Sequence, residues 1–169
     1  YDADGYLYYL LDGSIYEVNL NDMTQNTIVY GLPSEKYLVS QNRKIVVYPD
    51  NANDEDVTSL VIHNFETGEI YTESGQDNDR LLALGFVNND LIYGTADASD
   101  IVISNDRQAI LPMYKLYIIS PDGGDIKEYD KQGIYIMDAR VDDEKIYLER
   151  AVKQNQFFET CDADFISYK

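Results

Sequence analysis

The sequence predicts an all-β chain, β-propeller-like, of about four antiparallel blades, with the first and last blades incomplete. Three observations predict it. Short runs rich in tyrosine, isoleucine and valine alternate with Asp, Asn and Gly turns along all 169 residues, and 16 of those residues are tyrosine. Such residues fit a pleated, half-buried surface. The runs also recur in one order (run, polar turn, run, loop, run, turn, run) at spacings of roughly 40–55 residues, the period of propeller blades. No stretch shows a clean helical stripe; the nearest candidates, Asp97–Ile110 and Arg150–Cys161, lack one.

The clearest copy is Leu116–Asp130, LYIISPDGGDIKEYD. Leu116 and Ile118 alternate with Tyr117 and Ile119, and Pro121-Asp122-Gly123-Gly124 follows. Asp-Gly and Gly-Gly favour the positive φ angles of a two-residue hairpin turn. Leu60–Tyr71 has the same form around Glu66-Thr67-Gly68, and Ile15–Leu20 meets Asn26–Tyr30. A further copy begins at Asp164–Tyr168. A second motif repeats beside the first: Tyr6–Tyr9, Lys44–Tyr48, Asp90–Tyr93 and Lys145–Leu148, each after a polar turn.

Taken in order, the repeat units are residues 1–34, 35–75, 76–133 and 134–169. The first carries strands Tyr6–Leu11, Ser14–Leu20 and Asn26–Tyr30, with Asp12-Gly13 as a tight turn, and lacks its opening strand. The second is complete, and the acidic loop Pro49–Asp56 parts its second and third strands. In the third, Arg80–Val87 and Leu91–Thr95 pair through Asn88-Asn89, and an insertion, Ala96–Pro112, precedes the Leu116 hairpin. The fourth has Tyr135–Val141, Lys145–Val152, and then either Phe157–Thr160 or Asp164–Tyr168. Two incomplete ends predict part of a larger propeller, and open sheet edges predict self-association.

The formal charge is −18, from 31 acidic and 13 basic side chains. That composition predicts a solvated acidic surface. It argues against nucleic acid, since phosphate binding needs clustered Lys and Arg. Cys161 is the single cysteine, so no intrachain disulfide forms. No run is long and apolar enough to insert directly into a membrane, and no signal peptide is apparent.

Candidate sites are few. The insertion places Asp97, Asp100 and Asp106 on a loop that interrupts a repeat scaffold, where binding residues concentrate. Its Ile101-Val102-Ile103 run is expected to cover a sheet edge as a lid. Asp50, Asn51, Asn53, Asp54 and Asp56 form the one loop that a cation such as calcium could use. It fails the EF-hand pattern, because Ala52 and Glu55 stand at its third and sixth positions. A solvated turn is expected there, and no cofactor is expected anywhere. His63, the single histidine, falls on a strand, where a structural role is expected. There is no Gly-x-Ser-x-Gly elbow, too few nitrogen and sulfur ligands for zinc, and no phosphate-binding glycine loop. No catalytic residue is assigned. With 31 acids, a carboxylate pair for glycoside hydrolysis can always be drawn, so the pattern alone carries no weight.

Two resemblances add to this reading. Ser120-x-Asp122-x-Gly124 resembles the opening of the Asp-box hairpin of sialidase-type propellers, although Asp125-Ile126-Lys127 departs from it. The strand pairs with their Asp/Asn-Gly turns resemble TolB-like and WD40-like propeller repeats. More closely, Leu84–Gly94, Asp100–Val102, Leu111–Tyr114 and Gly133–Tyr135 resemble a group of bacterial cell-envelope proteins with a propeller-like domain outside the membrane. The resemblance is best over residues 81–150 and implies a non-catalytic extracytoplasmic domain, without assigning site residues. The expected function is therefore a binding module for a protein or carbohydrate ligand. The alternative is a glycoside-hydrolase-like or sialidase-like enzyme whose carboxylates meet at the channel mouth.

Overall fold

The computed structural model describes residues 5–51, 56–104, 107–124, 126–142 and 144–168. It is all-β, with several antiparallel sheets. The first sheet holds β1 (Tyr6–Leu11), β2 (Ser14–Asn19) and β3 (Gln25–Val29) in sequence order. The second holds β4 (Leu38–Val39), β5 (Ile45–Pro49), β6 (Ser59–Asn64) and β7 (Ile70–Ser74), entered through a single 3-10 turn, Ser34–Lys36. Next come β8 (Asp79–Val87) and β9 (Asp90–Asp97), the small hairpin β10 (Val102–Ile103) and β11 (Ala109–Ile110), then β12 (Met113–Ile119) and β13 (Ile126–Asp130). The chain ends on β14 (Ile134–Asp142), β15 (Lys145–Gln154) and β16 (Phe157–Ser167).

The turns follow the local chemistry. Asp12 and Gly13 both take positive φ, 47° and 69°, as do Asn88 and Asn89, 50° and 69°. That is the two-residue turn whose twist matches the flanking strands. Gly13 is also required by packing: a Cβ there would lie 2.0 Å from the Leu32 carbonyl oxygen. The turn at Pro121–Gly124 is not of this kind. β12 and β13 stop pairing at Ile119 and Ile126, which leaves a longer loop. Side-chain bonds close it instead: the Gly124 amide donates to Asp122 Oδ1 at 3.1 Å and to Ser120 Oγ at 3.2 Å. An Asp carboxylate that captures a nearby amide competes well with a backbone turn.

Two further expectations are corrected. The last two units are not separate sheets. β12 pairs with β9 and β13 along Lys115–Ile119, and a register shift between Met113 and Lys115 turns its start toward β14, where Met113 pairs with Ile136. That one pair joins β14, β15 and β16 to the third unit, giving the order β16-β15-β14-β12-β9-β8 with β13 beside β12. Phe157–Thr160 and Asp164–Tyr168 are not alternatives either. They lie on one 11-residue strand, β16, which a register shift between Leu148 and Arg150 of β15 lets run past Cys161.

Packing explains why some strands are buried on both faces and others on one. Ile45, Val47, Leu60 and Ile62 cover one face of the second sheet and meet Leu81, Phe86, Leu91, Tyr93 and Ile119. Val46, Tyr48 and Val61, on the opposite parity, meet Ile15 and Leu32 of the first unit. On the far side of β9 and β12, Ile92, Leu116 and Ile118 meet Ile136, Ile146 and Leu148. The sheets therefore stack face on face in chain order. β5 is buried at every position, and β9 from Leu91 to Ala96, whereas β15 begins in strict alternation. Each such aliphatic side chain stabilises the stack by roughly 1.5–3 kcal/mol on burial. Among the described residues no strand pair links the first sheet to β14–β16.

Candidate functional site

The ends of the strands on one side converge on an open cleft of about 690 Å³. The β7–β8 connection supplies Gln76, Asp77, Asn78 and Asp79; the end of β9 and the turn after it supply Asp97 and Asp100; β12 and β14 supply Tyr114 and Tyr135. Segments far apart in sequence meet there because β8, β9 and β12 lie side by side in one sheet and the Met113–Ile136 pair brings the start of β14 to the start of β12. Hydrogen bonds fix the walls. Tyr114 Oη donates to Asp79 Oδ1 at 2.8 Å, and the Gln76 amide donates to Asp79 Oδ2 at 2.9 Å. Asp97 Oδ1 accepts from the Ser99 amide at 2.8 Å, the Ser99 hydroxyl at 2.6 Å and Asn78 Nδ2 at 2.6 Å. Asp100 forms an ion pair with Lys153 of β15. Tyr135 meets Phe158 edge-on, with ring centroids 5.0 Å apart.

These contacts set the charges. The Ser99 hydroxyl and amide hold the Asp97 carboxyl below its usual range, so Asp97 is a carboxylate. The bond to Asp100 raises Lys153, which stays an ammonium. Burial and the bond to Asp79 push the Tyr114 hydroxyl above its ordinary value, so it keeps its proton and donates it to Asp79. The cleft thus presents fixed carboxylates with tyrosine rings beside them. It can accept hydrogen bonds from a cationic or polyhydroxylated group.

Of the residues expected in the insertion, Asp97 and Asp100 come together in this cleft, and Asp106 lies outside the described residues. Ile101 and Ile103, with Leu111 and Ala109, line a second cavity of about 490 Å³ whose walls include Leu38 of β4 and Leu81 and Ala83 of β8, the edge strands of their two sheets. Its other walls include Tyr37 and Leu60. In the acidic loop, Asp50 and Asn51 border a small recess, and Asn53 and Asp54 lie outside the described residues. Asp56 is committed to Arg80: Nη2 donates to its Oδ2 at 3.2 Å, and this contact lowers the Asp56 carboxyl. Among the described residues no three His, Cys, Asp or Glu side chains are grouped to hold a metal ion.

His63 is completely buried between the first and second sheets. Its ring meets Tyr8 and Phe65 edge-on at 5.0 and 4.8 Å, and neither ring nitrogen has a hydrogen-bond partner. Sequence reasoning missed Gln76–Asp79, Tyr114 and Tyr135. The polar run 76–79 between two strands was the available signal; the tyrosines had none, because tyrosine occurs throughout the sheets.

No family model matches the sequence, and no curated protein matches it. Solved structures do. A protein described as a conserved lipoprotein from Clostridium novyi NT superposes with a TM-score of 0.54 at 20% identity, over 79% of this chain and 86% of that one. The two share a fold. BamB from Moraxella catarrhalis gives a TM-score of 0.28 at 10% identity, over 95% of this chain and 58% of that one, too low to bear on the fold. No helix among the described residues is long and apolar enough to cross a membrane.

Proposed function

We propose that this chain is a non-catalytic interaction module of the cell envelope, outside the membrane, with its sheets set as successive blades of a propeller-like ring. The observation that carries the reading is the convergence of four separate segments, 76–79, 97–100, Tyr114 and Tyr135, on one open cleft at the ends of the stacked strands. Scaffolds of this kind present their loops for recognition while the sheets stay rigid. The fold shared with a lipoprotein supports the envelope setting. A binding role is favoured over hydrolysis by the partners of Asp97 and Asp100. Glycoside hydrolysis needs one carboxyl held neutral as the proton donor. Asp97 is held ionised by three donors, and Asp100 is neutralised by Lys153.

The test presents the purified chain to an array of basic peptides and neutral oligosaccharides, and compares it with Tyr135→Ala and Asp77→Ala. Binding to one class, weakened about tenfold in both variants, is expected, a loss of about 1.4 kcal/mol. Binding that ignores both substitutions moves the site elsewhere. Turnover of a chromogenic glycoside that disappears in Asp97→Asn would establish the enzyme instead. Protease accessibility of the chain on intact cells of its source reports the compartment.

A further inference from the structure

We propose that the cavity beneath the β10–β11 hairpin binds a small amphipathic anion, with an apolar body among Ile101, Ile103, Leu38 and Leu60 and its charged end at Lys36. The inference does not depend on the acidic cleft. Protein interiors are close-packed and leave few voids larger than a water molecule. A space of about 490 Å³ is of ligand size, and its walls are mainly aliphatic and aromatic. Apolar walls that remain open to water favour apolar guests. Two of the lining residues are incompletely covered: Ile103 is 64% exposed and Leu82 is 38% exposed. A guest that covers them gains about 25 cal/mol for each Å² removed from water.

The charged groups around the cavity decide what the guest carries. Arg80 forms an ion pair with Asp56, its Nη2 donating to Oδ2 at 3.2 Å. The Glu35 carboxylate is exposed and accepts from the Ser34 hydroxyl at 3.3 Å. Lys36 is half-buried on the cavity wall. Among the described residues it alone of the lysines has neither a carboxylate nor a ring as partner. Lys44, Lys115, Lys131 and Lys153 pair with acids, while Lys127 and Lys145 lie over Tyr168 and Phe165. In a chain with 31 acids and 13 bases, a lysine left uncommitted beside an apolar space is the group that complements an anion.

The probes are octanoate and octanol, which share an apolar body and differ in charge. They are titrated into the native chain by calorimetry, with isoleucine-methyl NMR shifts read at Ile101 and Ile103. Octanoate should bind more tightly than octanol and move both methyl groups. Lys36→Glu should weaken octanoate about tenfold, an energy near 1.4 kcal/mol, and leave octanol unchanged. Ala109→Trp and Leu82→Trp change exposed strand positions on two walls, and each should abolish binding of both probes by filling the space. Tyr135→Ala, in the cleft, should alter neither. The proposal is overturned if the methyl groups do not respond up to the solubility limit, if octanoate and octanol bind equally, or if both blocking variants still bind.

Discussion

Acid should loosen the contact between the first two sheets by charging His63. The ring is buried, flanked by Tyr8 and Phe65, and its nitrogens have no partner, so it folds only as the neutral form. Desolvation pulls it from 6.5 down to about 4. The charged groups nearest this contact lie beyond the rings: Glu17 accepts from the Tyr8 hydroxyl at 3.1 Å, and Lys44 and Glu66 pair with each other. A base whose folded value is depressed is protonated first in the unfolded chain. Its stabilising contribution is therefore complete above about 6.5, declines as the pH falls below that, and is fully lost below about 4. At about 1.36 kcal/mol per pH unit, the whole interval is worth roughly 3 kcal/mol. Urea unfolding followed by tyrosine fluorescence, at a series of pH values, measures it. Acidic side chains contribute their own pH dependence, so the informative quantity is the difference from His63→Leu, which fills the niche without nitrogens. That difference should be flat above neutral pH and widen by roughly 3 kcal/mol in favour of the variant toward pH ~4. At neutral pH the variant should equal or exceed the native stability, because it removes two unsatisfied buried atoms. Parallel pH curves for the two proteins, or an imidazole that titrates near its ordinary value in the folded chain, would refute the reasoning.

Asp164 binds Lys131 and Tyr129, and Arg150 reaches it at 3.1 Å, so it ties β16 to β13 and β15; these bonds hold its carboxyl near 2. Asp164→Asn should cost only about 1 kcal/mol in urea unfolding, because the cluster is solvent-screened, and the loss should vanish as the pH falls through the depressed value. Gly13→Ala should cost roughly 1–3 kcal/mol, since it forces a side chain into positive φ and against the Leu32 carbonyl. Gly13→Asn, which tolerates the φ but not the contact, should recover little of the loss. Met113→Ala should cost about 2–5 kcal/mol by emptying a site closed by Gly94, and Met113→Leu should cost less than half of that.

The strand pattern was legible because burial on a pleated surface has a period of two, and the residues that choose it are local. Tyr6–Tyr9, Lys44–Tyr48, Asp90–Tyr93 and Lys145–Leu148 fall on β1, β5, β9 and β15, the last two of which run on to Asp97 and Gln154. Asp12-Gly13 and Asn88-Asn89 were legible for the same reason, since their φ angles are a local demand. The Ser120–Gly124 loop misled because Gly-Gly permits a two-residue turn, while the Asp122 carboxylate rewards a wider one. The union of the last two units at Met113 and Ile136 had no local signature; it follows from a register shift that only the packed neighbours select. Asp97 and Asp100 could be named, with Asp106, as candidates from their place in an insertion, and the first two do line the cleft. Tyr114 and Tyr135 could not, since what distinguishes them is the strand end on which they lie.

The insertion after β9 does more than lengthen a loop. At two points on the chain neighbouring residues face opposite ways and divide the cleft from the apolar cavity, one on strand β8 and one at the end of the 3-10 turn Ala98–Asp100. At the start of β8, Asp79 lines the cleft and Arg80 lines the cavity; after β9, Asp100 lines the cleft and Ile101 the cavity. Two adjacent spaces of opposite polarity thus share their backbone walls. A slip of one residue in either segment would exchange an acid for an apolar or basic side chain in both spaces at once. The Asp56–Arg80 contact and the Asn78–Asp97 bond hold those two segments in register. The division between Asp79 and Arg80 is therefore a consequence of strand geometry, and the two sites stand or fall with the alignment of β8 against β9.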